Sequence, residues 1–371
     1  CLHMIGPKAY IHLDRLIHNY HEIHDQIGGS PMMCVVKANG YGHGSVECSN
    51  ALLKEGCTFL AVFTFDEAME LRDAGIQTDI MIFSRMQKSF LEDAAANNIT
   101  LNLSGVNDIA LLEEFEKKYG TSPKFHLKVD TGMNRLGIPF KNAGEVLQKI
   151  SANPQLNCTG IYSHYATADE GDLSYAEWQL EQFKHVLSLA GEMGVQFKYR
   201  HFSNSGTVIN MSHTSYDIVR VGMLLYGAFP SDEVPTDMDI KPVMEFRGPI
   251  VSIRRVKAGT KVSYGGVWES EKDTTIAVVQ TGFADGFPRA WYEGGYVTFK
   301  GKPYPIAGRI CMDQFMIDVG DDNLSIGDEV LLMGENGSDS LHMEEIAQHI
   351  NSTTYVLSTG IHGRTERVYL P

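Results

Sequence analysis

A lysine closes an apolar run in MMCVVKANGYGHG, residues 32–44. An ammonium group bordering apolar surroundings loses hydration, its pKa falls, and the free amine becomes a usable nucleophile. Schiff-base formation with a carbonyl cofactor uses such an amine. The plainer reading of Lys37 is a lysine marking a strand's exit into water. Other apolar runs also end in polar residues. FHLKVDTGMNR carries Lys128, Asp130 and Arg135, CTGIY runs into Ser163 and His164, HFSNSG holds Asn204 and Ser205, and DIVRVGM holds Arg220, Gly222 and Met223. Main-chain N–H groups near glycine can cradle a phosphate, so HFSNSG and RVGMLLYG read as an anion-holding pair or as ordinary turns. Arg220, inside an apolar strand, needs a partner because an unpaired buried charge is costly. Tyr264 in KVSYGG reads from its spacing as a half-buried strand tyrosine, and GRICMDQFMIDV, with Met312 and Asp313, as a strand and turn. His12, His18, His21 and His24 read as surface histidines, and no metal is expected.

These residues need a frame that brings them together. From about residue 30 to 230, short apolar runs alternate with helical patterns: MMCVVK, FLAVFT, DIMIF, ITLNLS, FHLKVDTG, CTGIYSHY, KYRHFSNS and YDIVRVG. Eight such repeats predict an α/β fold, a closed parallel (β/α)8 barrel, over an open doubly wound sheet. In such a barrel the C-terminal strand ends form the active site. Thr64 or Asp66 is positioned to cap the helix in DEAMELRDAG, and Gly75 to end it. After about residue 240 strand-like runs follow one another, and only MEEIAQHIN reads as a helix. The proline- and acid-rich segment 229–242 marks the junction. The expected domains are a barrel over 1–235 and a mostly β domain over 236–371, with the first strand, around 8–13, joining the second domain.

Composition narrows the function. The 371 residues are 43% apolar and 21% charged, with a formal net charge of −15. That balance argues against nucleic acid and anionic membrane surfaces as partners. The six cysteines form no CxxC pair, no apolar run reaches the ~18–20 residues of a membrane span, and no secretory signal pattern is present. A cytoplasmic setting is expected. The chain opens on Cys1 rather than methionine, as a domain cut from a longer protein would, or as a cloning remnant would.

VVKANGYGHG resembles the cofactor-lysine motif of the alanine racemases, which bind pyridoxal 5′-phosphate (PLP). The likeness continues in order through KVDTGMNRLG, YSHYATAD, HFSNSG, VRVGMLLYG, KVSYGG, GFADGFPR and GRICMDQFMIDV. The resemblance implies a barrel followed by a β domain, in a head-to-tail homodimer whose active sites each combine one subunit's barrel with the other's β domain. It implies that Lys37 carries PLP and that the partner's Tyr264 faces it. Tyr41, Ser205, Gly222 and Met223 would hold the phosphate, with Asn204 beside them. Arg220 would meet the pyridine nitrogen with His164 behind it. Arg135, Met312 and Asp313 would serve the substrate carboxylate, and Lys128 matches a lysine that many members carbamylate. Racemisation removes a proton from one face of a planar carbanion and returns one to the other, so two bases suit it. A chain from Tyr264 to cationic His164, or to Arg220, would favour the phenolate.

Two departures bear on the substrate. Where the family closes with a segment like SYRVPR, this chain has IHGRTERV, so Gly363, or His362 on a slipped alignment, stands in place of a tyrosine. Phe283 likewise replaces a tyrosine. A lost phenol leaves room for a β-hydroxyl, which makes serine a substrate beside alanine. This resembles the cytoplasmic racemase domain of membrane-bound VanT-type serine/alanine racemases, linked to vancomycin resistance and the supply of D-amino acids for peptidoglycan precursors. A decarboxylase or D-amino-acid dehydratase on the same fold is the alternative, disfavoured because decarboxylases place an acid where Arg220 stands. A non-catalytic PLP carrier is disfavoured by the β domain.

Overall fold

The computed structural model describes residues 6–371; Cys1 lies outside them. The barrel uses β2 (Met32–Val35), β3 (Phe59–Val62), β4 (Asp79–Ile82), β5 (Ile99–Leu103) and β6 (Phe125–Asp130). After the two-residue β7 (Ile138–Pro139), it continues through β8 (Cys158–Tyr162), β9 (Tyr199–His201) and β10 (Val219–Val221), while β1 (Lys8–His12) precedes it. The eight barrel strands are all parallel, in the order β10-β2-β3-β4-β5-β6-β8-β9. They are the eight apolar runs read from the sequence. Every residue of β2, β3 and β5 is buried, because a parallel strand is covered by side chains on one face and by helices on the other. The seam between β9 and β10 is bridged by main-chain bonds, Asp217 N–H to Arg200 O (3.0 Å) and Arg220 N–H to Ser203 O (3.3 Å).

Thr64, rather than Asp66, caps the helix Phe65–Asp73. Its hydroxyl accepts from the Glu67 N–H, and the Glu67 carboxylate accepts from the Thr64 N–H in return, a reciprocal capping box. Gly75 follows the helix with φ +86°.

The β domain contains β11 (Met244–Val256), β12 (Lys261–Val262), β13 (Trp268–Glu269), β14 (Thr274–Val279) and β15 (Tyr296–Phe299). It continues with β16 (Lys302–Pro305), β17 (Phe315–Gly320), β18 (Glu329–Asn336), β19 (Asp339–Leu341) and β20 (Glu366–Leu370). β1 belongs to this sheet, antiparallel to β11 on one side and parallel to β20 on the other. Residues 227–243 carry neither helix nor strand. Buried Asn19 ties both ends of this connection to the first helix, Leu13–Gln26, donating to Leu225 O (3.0 Å) and Lys241 O (2.8 Å) and accepting from Lys241 N–H (2.8 Å). Gly227, at φ +79°, lets the ends meet, since a Cβ there would lie 1.8 Å from Lys241 O.

MEEIAQHIN supplies the helix Met343–His349, but a second helix, Thr354–Gly360, follows it. Its β-branched and aromatic residues carry strand propensity. The Thr353 hydroxyl, accepting from Val356 N–H, starts a helix instead, and packing between the two helices holds it. No helix among the described residues is long and apolar enough to cross a membrane.

A buried carboxylate joins β1 to the sheet. Glu245 accepts from His12 Nε2 (2.8 Å), Asn336 Nδ2 (3.0 Å) and Arg247 Nε. Burial alone would raise its pKa, but the hydrogen bonds from His12 and Arg247 outweigh this and hold it at about 2. A depressed carboxylate pKa contributes stability that is complete above the unfolded value and fades as pH falls toward the folded one. Glu245→Gln should therefore cost about 1–3 kcal/mol at neutral pH, and clearly less near about pH 3, as read by denaturant unfolding at both pH values.

Candidate active site

The turn after β2, Lys37–Tyr41, is wound left-handed at Ala38 (φ 52°, ψ 49°), Asn39 (54°, 50°) and Gly40 (59°, 45°), and Tyr41 continues it at φ 51°. Left-handed backbone costs a residue with a Cβ about 1–2 kcal/mol, so this turn needs support from outside itself. Ala38 N–H donates to Glu67 Oε1 (2.7 Å), and Ser45 N–H to Asn39 Oδ1 (3.1 Å). Below it, Tyr41 and His43 pack on the buried ring of Tyr226, with centroids 5.0 and 4.6 Å away, and Tyr226 donates to Val35 O (3.0 Å). Burial pushes His43 down to about 4. It is therefore neutral at physiological pH, and its Nδ1–H donates to Tyr41 O (2.9 Å). Lys37 thus leaves β2 on a fixed path, with its Nζ 5.9 Å from the Tyr41 ring centroid. Burial, then Arg135, lowers its pKa, which leaves more of the amine free.

Arg220 stands on the neighbouring strand, β10, which pairs with β2. Its guanidinium is buried and donates to Ser163 O (2.8 Å), Phe202 O (3.2 Å), His201 Nδ1 (2.8 Å) and His164 Nδ1 (3.3 Å). No carboxylate pairs with it among the described residues; the partner it needs is supplied by carbonyls and imidazoles. Burial lowers its pKa to about 10, leaving it cationic at neutral pH. A cationic His164 is excluded: burial, then Arg220, holds its pKa well below the usual histidine value, and a ring nitrogen that accepts from Arg220 carries no proton. His201 is neutral for the same reason and passes its other N–H to His126 Nδ1 (2.8 Å). Lys128 lies nearby, 5.4 Å from the Tyr162 ring, and burial, then Arg135 and Arg220, brings it down to about 7.

One cavity of about 710 Å³ collects Lys37, Tyr41, Lys128, Arg135, His164, Asn204, Ser205, Arg220, Gly222 and Met223. Asn204 caps the helix Ser205–Asn210, accepting from Thr207 N–H (3.1 Å), and Ser205 Oγ accepts from Gly222 N–H (3.3 Å). The remaining sequence candidates lie outside its lining. Tyr264 and Met312 are 71% and 56% exposed on the β domain, with Val267 and Phe283 also exposed. Asp313 pairs with Arg364 (2.8 Å), and a Cβ on Gly363 would lie 3.6 Å from Ala284 O. These residues are connected, because Ala284 N–H donates to Met312 O (3.0 Å) and Ser263 Oγ to Arg309 O (2.8 Å). The sequence reading missed Tyr355. It lines the cavity from the helix Thr354–Gly360, which the sequence reading did not assign, its ring 6.1 Å from that of Tyr41, and burial then Asp169 raises its pKa, so the phenol is neutral. Of the early histidines, His12 is buried, while His18 gathers with Glu22 and Asp239 and bonds Asp239 O (2.8 Å).

Family models for the N-terminal and C-terminal domains of alanine racemase match residues 11–230 and 243–369. The chain belongs to the alanine racemase family. It is 38% identical to the alanine racemase of Clostridium tetani over 99% of this chain and 96% of that one. It is also 38% identical to that of Methanococcus maripaludis, over 92% of each. Among solved structures, the alanine racemase of D-cycloserine-producing Streptomyces lavendulae superposes with a TM-score of 0.93 at 34% identity, covering 99% of this chain and 97% of that one. The Bacillus anthracis alanine racemase with bound L-Ala-P gives 0.90 at 31%, covering 100% and 96%.

The cofactor of the alanine racemase family is PLP, and the cavity fits that group. Its amine is depressed, its guanidinium is buried without an anion, and its main chain is bare at Gly222, where a Cβ would lie 2.5 Å from Tyr41 Oη. Overpacking such a site costs about 1–3 kcal/mol. Gly222→Ala should therefore lower stability by about 1–3 kcal/mol in denaturant unfolding and, by displacing Tyr41, weaken PLP binding by roughly tenfold, measured by titrating PLP into cofactor-stripped protein.

Proposed function

We propose that this chain racemises a small amino acid, alanine first, by a two-base mechanism in a head-to-tail homodimer. The observation that carries the reading is the division of the site. A depressed amine and an anion-free guanidinium share one cavity, while the second base, Tyr264, stands exposed on the other domain beside Met312. A second copy of the chain, turned head to tail, accounts for both halves, and exposed apolar clusters of this kind mark interaction surfaces.

In this reading Lys37 would hold PLP, Tyr41, Ser205, Gly222 and Met223 would hold its phosphate with Asn204 shaping the loop, and Arg220, with His164 behind it, would serve its ring nitrogen. When bound, PLP supplies the electron sink that acidifies the substrate Cα–H bond. Lys37 and Tyr264 of the partner subunit then stand on opposite faces, one removing the α-proton while the other returns one. Arg220 keeps its own proton, so the sink stays moderate and decarboxylation is not favoured. Arg135, with Met312 and Asp313 of the partner subunit, seats the carboxylate. Lys128, brought down to about 7 by burial and then Arg135 and Arg220, suits capture of CO2 as a carbamate beside Arg135, since carbamylation requires the neutral amine. The neutral His164 removes one route to a phenolate at Tyr264 and leaves Arg220 as the cation that would favour it.

The substrate pocket keeps a phenol despite Gly363, because Tyr355 supplies one from the preceding helix. Alanine fits beside it, and serine is admitted only as far as this ring yields.

Lys37→Ala and Tyr264→Phe should each lower kcat by at least about 100-fold. Co-expressed, they should recover activity, because a hybrid dimer of the two keeps one intact shared site. No recovery, with hybrids verified by mass, would place both residues' action within one chain. Tyr355→Ala should raise kcat/KM for L-serine relative to L-alanine by roughly tenfold; equal changes on both substrates would remove Tyr355 from the specificity argument.

A further inference from the structure

We infer that Glu67 is a positioning residue for Lys37: its carboxylate locks the left-handed turn that aims the amine and stands as an anion beside it. This rests on the reading of Lys37 as the amine that carries PLP.

Glu67 lies on the helix after β3, one strand away from Lys37. Its Oε2 accepts from Phe63 N–H (2.8 Å) and Thr64 N–H (3.0 Å), which completes the helix cap. Its Oε1 is then free for a different task, and it accepts from Ala38 N–H at 2.7 Å. That N–H belongs to the peptide linking Lys37 to Ala38. Fixing its direction fixes the backbone rotation at Lys37, and with it the line along which the side chain leaves β2. The bond also falls where it is most needed, at the first residue of the left-handed winding, an alanine whose Cβ disfavours that conformation. Without the acceptor, Ala38 is drawn toward the right-handed basin, and the peptide after Lys37 turns with it. The same carboxylate faces the amine electrostatically. Arg135 and Arg220 face Lys37 as cations, with Lys128, the Tyr41 ring and neutral His164 nearby. Glu67 is the carboxylate that acts on its titration, opposing Arg135 and Arg220. A helix cap alone requires none of this.

The test uses the full-length enzyme loaded with PLP and compares Glu67→Ala, Glu67→Gln and Thr64→Ala. Thr64→Ala removes the hydroxyl half of the cap and leaves the bond to Ala38. Release of PLP to added hydroxylamine is followed by loss of visible absorbance, beside the melting temperature and the pH profile of kcat/KM. Glu67→Ala should release PLP at least about tenfold faster, as expected for loss of a charged hydrogen bond. Glu67→Gln keeps one acceptor oxygen for Ala38 and turns an NH2 to the cap, so it should lower the melting temperature yet release PLP within a few-fold of the wild-type rate, with the limb set by Lys37 moved to lower pH. Thr64→Ala should lower the melting temperature yet release PLP within about twofold of the wild-type rate. A wild-type release rate and profile in Glu67→Ala would overturn the inference, as would equal effects of Glu67→Ala and Thr64→Ala on melting and release. If wild-type protein takes up no PLP, or Lys37→Ala retains both its visible band and full activity, the functional reading fails and takes this inference with it.

Discussion

A guanidinium sealed inside a barrel without a counter-ion is the constraint around which this molecule is arranged. Burying a cation is expensive unless every donor is satisfied and the charge is spread over nearby dipoles. Arg220 meets that demand with two main-chain carbonyls and two imidazole nitrogens rather than a carboxylate. The choice propagates outward. Both imidazoles must be neutral to accept, the outer nitrogen of His201 must carry its proton to donate to His126, and the Tyr162 ring stacks flat on His201 while facing the guanidinium. A carboxylate would have been the cheaper partner for stability. Its absence leaves an unneutralised positive field in the cavity, which adds to burial and Arg135 in depressing Lys37 and Lys128 and favours anionic guests.

The cavity itself is a barrel-end site held from below by aromatic rings. Tyr226 anchors to the strand that ends at Lys37 and carries both Tyr41 and His43, so the strained turn rests on a rigid wedge rather than on flexible side chains. Tyr41 and Gly222 then approach closely enough that no side chain fits between them. Strain, aromatic packing and bare backbone meet at one strand end, where a rigid amine and an open anion cradle are both required.

The barrel was legible because parallel strands, buried on both faces, leave continuous apolar runs, and each run's last residues marked the cavity wall: Lys37, His164, Ser205 and Arg220. What escaped were features set by contacts distant in sequence. Nothing in Ala38 or Asn39 advertises a left-handed conformation; Glu67, from the next strand's helix, and Tyr226, nearly two hundred residues on, impose it. Thr64 and Glu67 stand three apart, the spacing of a capping box, yet the second use of Glu67 depends on strand adjacency alone. TYVLSTG carries strand propensity and became helix through its cap and its neighbour, which hid Tyr355. The charge of His164 depended on which group donates to it, a matter of geometry and not of residue type.

The sheet that carries Tyr264 has an order-of-assembly consequence. Its β1 precedes the barrel strands, yet it lies between β11 and β20, in register from Lys8 beside Glu366 to His12 beside Leu370. On the ribosome, the barrel has all its strands once residue 221 has emerged, but β1 must wait until residue 370 has emerged to gain its parallel neighbour. Such distant pairings form slowly and leave an unpaired edge exposed meanwhile. The nascent chain therefore holds the barrel wall around the amine well before Tyr355 closes the pocket and the surface bearing the phenol is sealed.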